Sequence, residues 1–464
     1  MTGTEPTHSP VLAIVLAAGE GTRMKSPRPK VLHEVGHRPL VLHVLDRLAR
    51  LSPPPAETVV VLGAGRDEVE PVVAGHPLRP RVVEQKSRRG TGDAVRVAMD
   101  AVRLSEGIAL VLCGDVPLID PGDIARLIAA VMEEGAAIAV LGFRPEDPTG
   151  YGRLVTDAQG KLVRIVEEGE ANAAERRIGL VNSGVIACRI DFLRVALPQL
   201  AANNAKGELY LTDLVALAVA AGRPALAIEA RDPEGLRGVN SQADLAAVEA
   251  LFQGRQRAAA MAGGVTLIAP ESVHFAFDTK LAPGTVVAPF VVFGPGVVVH
   301  GPARIEAFSH LAGVEIMEGA VIGPFARLRP GSRIGPAARV GNFVEVKAAT
   351  LGEGAKANHL SYIGDAEVGA RANIGAGTIT CNYDGFAKHR TVIGADAFIG
   401  SNTALVAPVV IGAGAIVGAG SAITRDVPAD ALGLTRAPQE VREGAAARIR
   451  SRKAGAGKNR VRES

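Results

Sequence analysis

Two stretches in the first quarter of the chain carry residue types suited to phosphate chemistry. LAAGEGTRMKSPRPK, from Leu16 to Lys30, follows an aliphatic run and joins Gly19-Glu20-Gly21-Thr22-Arg23 to the cations Arg23 and Lys30. Glycines let a backbone approach a phosphate with its N–H groups pointed at it, and the two cations suit a polyphosphate leaving group. The stretch is neither a P-loop, since GK[ST] is missing, nor the GxGxxG of a dinucleotide fold. Cys113-Gly114-Asp115-Val116-Pro117-Leu118 follows a second aliphatic run, IALVL. Ligands of open α/β sheets bind beyond the carboxyl ends of strands, where Asp115 would serve as a hard oxygen ligand for Mg²⁺. Taken singly, the glycines also fit a strand-to-helix turn and Asp115 a turn or helix cap. Two such motifs in one region favour a nucleotide site.

A second chemistry lies downstream in FARLRPG, VGNFVEVKAA, KANHLSYIGDAEVG and NIGAGTITCNYDG. Asn358, His359 and Tyr362 cluster there, and Arg329, Lys347 and Lys388 are cations suited to a sugar phosphate. An imidazole titrating near neutrality is a natural general base, so His359 is the catalytic candidate, although a lone His in a repeat also serves as a surface or capping residue.

The elements that must hold these residues differ between the two parts. Residues 11 to about 238 alternate short aliphatic runs with amphipathic stretches, the grammar of a mostly parallel sheet covered on both faces. SQADLAAVEALFQGRQRAAAM, from Ser241 to Met261, starts at a capping residue and ends before Gly263-Gly264, as one connecting helix. From about residue 265 aliphatics recur every six residues, at Ile322, Leu328, Ile334, Val340 and Val346 and again from Ile393 to Ile423. That period fits a stacked coil whose flat sides each use one hexapeptide, with aliphatics inward and small residues at corners. The period breaks between Ile374 and Ile393, where TCNYDGFAKHR intervenes, and interruptions of a stiff coil map to loops that carry chemistry. Exposed coil edges and a flat apolar side also predict self-association as a homotrimer.

Composition narrows the class. The 464 residues are 47% hydrophobic but 3% aromatic, with no Trp and 54 glycines, so aliphatic cores and repeated turns are expected. The formal charge of +3 is concentrated in residues 441–464, which hold eight Lys/Arg against two Asp/Glu, leaving a mildly acidic body. This argues against general nucleic-acid binding, with the basic end a solvated tail. Cys113, Cys188 and Cys381 form no CxxC and cannot all pair, which fits free thiols in a reducing compartment. VLAIVLAA at 11–18 imitates a secretory core, yet no Lys or Arg precedes it and no other apolar run approaches 18 residues. A cytoplasmic protein without membrane insertion is expected.

LAAGEGTRM with Lys30, GTG at Gly90 to Gly92, GDVPL, TGYGR at Thr149 to Arg153, IVEE, VNSG, and GVN at Gly238 to Asn240 resemble the sugar-1-phosphate nucleotidylyltransferases. With the hexapeptide region, residues 11 to 438 are similar to the bifunctional N-acetylglucosamine-1-phosphate uridylyltransferase and glucosamine-1-phosphate N-acetyltransferase family. The resemblance implies an α/β fold: a Rossmann-like nucleotidyltransferase domain, a linker helix and a left-handed parallel β-helix. The expected division is a disordered N-terminus at 1–10, uridylyltransferase domain at 11–238, linker helix at 239–264, acetyltransferase domain at 265–436 and a basic flexible tail at 437–464.

It further implies acetyl transfer from acetyl-CoA to glucosamine 1-phosphate, then Mg²⁺-dependent uridylyl transfer from UTP with release of pyrophosphate. The product, UDP-N-acetylglucosamine, would feed cell-envelope polysaccharide synthesis. By the same resemblance Leu16, Ala17, Ala18, Gly19 and Gln85 contact uridine, and Gly90 and Thr91 close the base pocket. Gly152, Glu167 and Asn182 hold the N-acetylated sugar, Asp115 and Asn240 ligate Mg²⁺, and Arg23 and Lys30 neutralise charge. In the second site Arg329, Lys347, Tyr362, Asn373 and Lys388 contact glucosamine 1-phosphate, with Glu345 in support and His359 taking the amine proton. Asn382, Tyr383, Ser401, Ala419 and Arg436 match positions that hold acetyl-CoA. The chain departs from the family's usual pattern at Arg88-Arg89, Asp93 and Cys113, where a Gln-Leu pair, a His and an aromatic are common. The alternative reading is a single-activity sugar-1-phosphate nucleotidylyltransferase with a regulatory β-helix, against which HLSYIGD and TCNYDG argue.

Overall fold

A computed structural model describes residues 9–63, 65–87, 89–204 and 207–460, with side chains up to residue 453 in the final helix. Most of the N-terminus expected to be disordered (residues 1–8), Arg88 and the last four residues of the expected tail lie outside the described residues. Two units are present: residues 1–260 with 274–278, and residues 261–273 with 279–464.

The first unit is built on β1 (Val11–Ala17), α1 (Leu40–Ala49), β2 (Glu57–Leu62), α2 (Arg66–Ala74), β3 (Arg81–Glu84), α3 (Thr91–Asp100), β4 (Ile108–Cys113), α4 (Pro121–Met132), β5 (Ile138–Phe143), β6 (Arg153–Thr156), β7 (Leu162–Val166), β8 (Val181–Arg189), α5 (Ile190–Ala196), α6 (Leu214–Ala220) and β9 (Ala225–Glu229), followed by α7 (Gln242–Ala262). The sheet order is β9-β5-β8-β4-β1-β2-β3, parallel except that β8 runs antiparallel between β4 and β5; β6 and β7 extend it beside β8. Burial alternates along the strands, as a two-residue period requires: Leu12 and Ile14 enter one core while Ala13 and Val15 enter the other. Each fully buried aliphatic side chain contributes about 1.5–3 kcal/mol, so both sheet faces must be covered by helices.

This register places the chemistry. Leu16 lies beside Cys113, and the Gly114 N–H donates to the Leu16 carbonyl at 2.9 Å, so the loops leaving β1 and β4 emerge side by side. A reciprocal cap starts α7: Ser241 Oγ accepts from the Asp244 N–H at 3.2 Å, and the Asp244 carboxylate accepts from the N–H groups of Ser241 and Asn240 at 2.9 and 3.0 Å.

The second unit stacks two- to four-residue strands into three parallel sheets. Val287, Ile305, Ile322, Val340, Ala357, Ile374, Ile399 and Val417 are successive neighbours on one of them. The six-residue period thus becomes a left-handed β-helix with one hexapeptide per side, and all eight of these side chains are buried. Phe290, Phe308, Phe325 and Phe343 occupy one corner with positive φ and stack at 4.9, 4.9 and 5.2 Å between ring centroids. Stacking of that kind contributes about 0.5–1.5 kcal/mol per pair, which offsets the left-handed backbone. The basic segment expected to be flexible instead contains a helix, Ala445–Arg460, whose described side chains are almost all exposed. Ala445–Ala447 and the absence of Pro supply helix propensity that a reading of charge alone passed over.

Candidate active sites

Leu16, Ala17, Ala18, Gly19, Lys30, Gln85, Gly90, Thr91 and Asp115 all line one cavity of about 270 Å³, with Val31, Ala94, Cys113 and Glu208 completing its wall. Two glycines shape it for different reasons. At Gly90 the backbone has φ +100°, and a Cβ would lie 2.6 Å from the Leu209 carbonyl, so the fold itself demands glycine. At Gly19 a Cβ would meet nothing within 4 Å; the bare backbone there faces open space that a ligand can enter. A cavity of about 420 Å³ elsewhere in the unit is lined by Glu146, Asp147, Glu234 and Asp244 against Arg237. That acidic lining suits a polyphosphate less well than the smaller cavity does.

Beside the 270 Å³ cavity, four residues from three remote segments of the sequence converge. Lys30 Nζ forms an ion pair with Asp115 Oδ2 and donates to Asn240 Oδ1 at 3.2 Å, and Arg23 Nη2 donates to the same Asn240 oxygen at 3.0 Å. Asp115 and Asn240 therefore direct hard oxygens at one positive centre. Among the described residues no group of three His, Cys, Asp or Glu side chains forms a metal cage, so any Mg²⁺ here would take its remaining ligands from substrate and water.

Gly152, Glu167 and Asn182 form a neighbouring group. The Asn182 N–H donates to the Gly152 carbonyl at 2.8 Å, and a Cβ on Gly152 would lie 3.6 Å from Glu167 Oε1. Thr212 Oγ1 donates to that oxygen at 3.2 Å, and Asn182 Oδ1 accepts from the Gly184 N–H at 2.9 Å. Gly184 also touches Cys113, its carbonyl 3.9 Å from Sγ, which links this group to the cavity wall. Burial, with Asp115 nearby, pushes the Cys113 thiol up to about 12, so it is an inert wall rather than a nucleophile.

In the second unit, parallel pairing sets Asn342 beside His359 and Glu345 beside Tyr362. His359 Nδ1 lies 2.7 Å from Asn342 Oδ1; an amide oxygen can only accept, so Nδ1 carries a hydrogen, and in the neutral ring the lone pair is on Nε2. Arg329 Nη1 pairs with Glu345 at 2.8 Å. Lys347 is held below the ordinary lysine range, first by the Lys388 ammonium beside it, then by desolvation, with Arg329 adding to the effect. Asn382 donates to Asp365 and, at 3.4 Å, lies against the Tyr362 hydroxyl. Asn373 lies on the sheet of His359, in register with Lys356. Arg436 Nη1 donates to the Ala419 carbonyl at 2.9 Å, and the Gly420 N–H to the Ser401 carbonyl at 2.8 Å, so these three residues share one corner. Tyr383 is exposed on the interrupting loop, its hydroxyl on the Gly385 carbonyl at 2.7 Å.

The MobA-like NTP transferase domain matches residues 13–179, and the bacterial transferase hexapeptide (six repeats) matches residues 390–425. The bifunctional protein GlmU of Azorhizobium caulinodans is 52% identical over 443 residues, covering 95% of this chain and 97% of its own. Those of Rhodospirillum rubrum and Zymomonas mobilis are 53% and 49% identical, covering 95% and 96% of this chain and 97% and 99% of theirs. The chain belongs to the bifunctional GlmU family. As a GlmU-family member it carries both activities, acetyl transfer to glucosamine 1-phosphate and uridylyl transfer to N-acetylglucosamine 1-phosphate.

Within this GlmU-family chain the structure adds residues that motif reading left out. Asn342 orients His359 from a strand one coil away, and the only sequence signal was its place in the polar VGNFVEVKAA. Asp384 closes the interrupting loop: its carboxylate accepts from the Ala387 and Phe386 N–H groups at 2.7 and 2.8 Å and meets His389 at 2.7 Å, which holds it far below the usual carboxylate range. The Asx pattern Asp-Gly-Phe-Ala was the available signal for that turn.

Proposed function

We propose that the 270 Å³ cavity holds the uridine of UTP, with Gln85, Gly90 and Thr91 around the base and the Gly19 loop, Arg23 and Lys30 on the phosphates. The convergence of Asp115 and Asn240 on the Lys30 ammonium carries this reading, because two oxygens that share one cation are also placed to share Mg²⁺. Mg²⁺, when bound, neutralises charge between two polyanions; Arg23, Lys30 and the loop amides position them for in-line attack. Gly152, Glu167 and Asn182 hold the acetylated sugar.

In the β-helix, Arg329, Lys347 and Lys388 take the sugar phosphate, with Tyr362 and Asn373 on the sugar. His359 Nε2 accepts the amine proton as nitrogen attacks the acetyl-CoA thioester. Asn382, Tyr383, Ser401, Ala419 and Arg436 supply the acetyl-CoA surface. The molecule assembles as a homotrimer through its β-helix, supported by the long exposed coil, and works in the cytoplasm, supported by three free cysteines and by the absence, among the described residues, of a helix long and apolar enough to cross a membrane.

One experiment tests the division of labour. CoA release by full-length protein is followed with glucosamine 1-phosphate and acetyl-CoA, and pyrophosphate release is followed in a separate reaction supplied with N-acetylglucosamine 1-phosphate, UTP and Mg²⁺. Asp115→Ala should abolish pyrophosphate release and spare CoA release, and His359→Ala should do the reverse. Retained pyrophosphate release in D115A removes Asp115 from the metal site.

A further inference from the structure

We propose that Asp93 is a positioning residue that fixes which hydrogen-bonding edge of a base the nucleotide cavity accepts, by locking the Gln85 amide with its oxygen toward the cavity. The proposal rests on the reading that this cavity holds the base of UTP.

Gln85 is only 7% exposed and lines the cavity. Its Nε2 lies 3.0 Å from the Gly90 carbonyl and 3.0 Å from Asp93 Oδ2. A carbonyl and a carboxylate can only accept, so both amide hydrogens are spent on them; the reverse orientation would press the amide oxygen against two acceptors in a buried place. The chemistry of the partners therefore fixes the amide. Its Oε1 makes no hydrogen bond among the described residues and is absent from the enclosed polar atoms that lack partners, so its lone pairs open on the cavity.

Asp93 itself is 1% exposed, in the first turn of α3, where the helix N-terminus favours a carboxylate, and Arg96 Nη2 meets it at 2.5 Å. It is thus a built, charge-compensated anchor. The cavity consequently presents a fixed acceptor. Uracil offers an N3–H donor in the middle of its pairing edge, whereas cytosine offers a lone pair at the same atom. A rigid Oε1 accepts from the first and repels the second, and sites that hydrogen-bond a defined group discriminate strongly against analogues lacking it.

The test compares kcat/KM for UTP and CTP, by pyrophosphate release from the full chain, in Asp93→Leu and Asp93→Asn. D93L removes the acceptor while keeping the branched shape and the number of side-chain heavy atoms, and D93N keeps an acceptor oxygen. Acetyl transfer and thermal unfolding check the fold. D93L should lower kcat/KM for UTP by about tenfold, chiefly through KM, and narrow the UTP-to-CTP ratio by a similar factor; D93N should retain most of that ratio. If D93L does not fold, Asp93→Ala removes the same acceptor and is read the same way. A parent that prefers UTP, with D93L showing the same preference, overturns the proposal even if total activity drops. A parent that does not distinguish UTP from CTP overturns the underlying reading of the cavity, and the proposal with it.

Discussion

Replacing Asn342 by Ala isolates the contribution of the bond that orients His359. In the ground state the Nδ1–H to Asn342 Oδ1 bond at 2.7 Å joins two neutral groups and contributes about 1 kcal/mol. When Nε2 takes the amine proton the ring becomes an imidazolium, and hydrogen bonds to charged groups contribute about 1.5–3 kcal/mol. The difference, roughly 0.5–2 kcal/mol, stabilises the transition state alone and corresponds to about 2- to 30-fold in rate. Because the pair is solvent-exposed and water can replace part of the bond, the lower half of that range, about two- to eightfold, is expected. His359→Ala, which removes the base itself, should cost about 10²- to 10⁴-fold. The assay is CoA release at saturating glucosamine 1-phosphate and acetyl-CoA, with pyrophosphate release from UTP and supplied N-acetylglucosamine 1-phosphate as a separate control that should not change. An Asn342→Ala enzyme with kcat within twofold of the parent, or one whose whole loss lies in KM, would refute an orienting bond to a general base.

Two further expectations follow from displaced titrations. Lys388→Met removes the cation that most depresses Lys347, which favours the protonated ammonium, so the alkaline rise in KM for glucosamine 1-phosphate should move to higher pH even as the overall KM increases; an unmoved limb would show that Lys347 does not titrate in binding. With its thiol pushed up to about 12, Cys113 should react with iodoacetamide at pH 8 on the order of a thousandfold slower than an unperturbed cysteine, read by mass spectrometry of the native protein; rapid labelling would mean that the cavity wall opens.

The β-helix is readable from sequence because its packing is nearest-neighbour: each hexapeptide needs only an inward aliphatic and a small corner residue, so the pattern repeats locally, from Ile322 to Val346 and from Ile393 to Ile423. The motifs around Gly19, Asp115 and His359 were likewise legible, since loop chemistry is written in short runs of residue types. Cys113 and Asp93 stood out as departures, but their roles did not, because a wall and an anchor are defined by what they touch.

Proximity across the chain was decided by topology. Lys30 meets Asp115 from 85 residues away and Asn240 from 210, because β1 and β4 are adjacent parallel strands and the Asp244 cap turns the start of α7 toward them. Asn342 reaches His359 because one coil of the β-helix returns the chain to the same edge. Residue types and short spacings name the chemistry a chain can perform. Which groups share a proton or a cation depends on strand order and register, and those are set by burial over the whole sheet or coil rather than by any single segment.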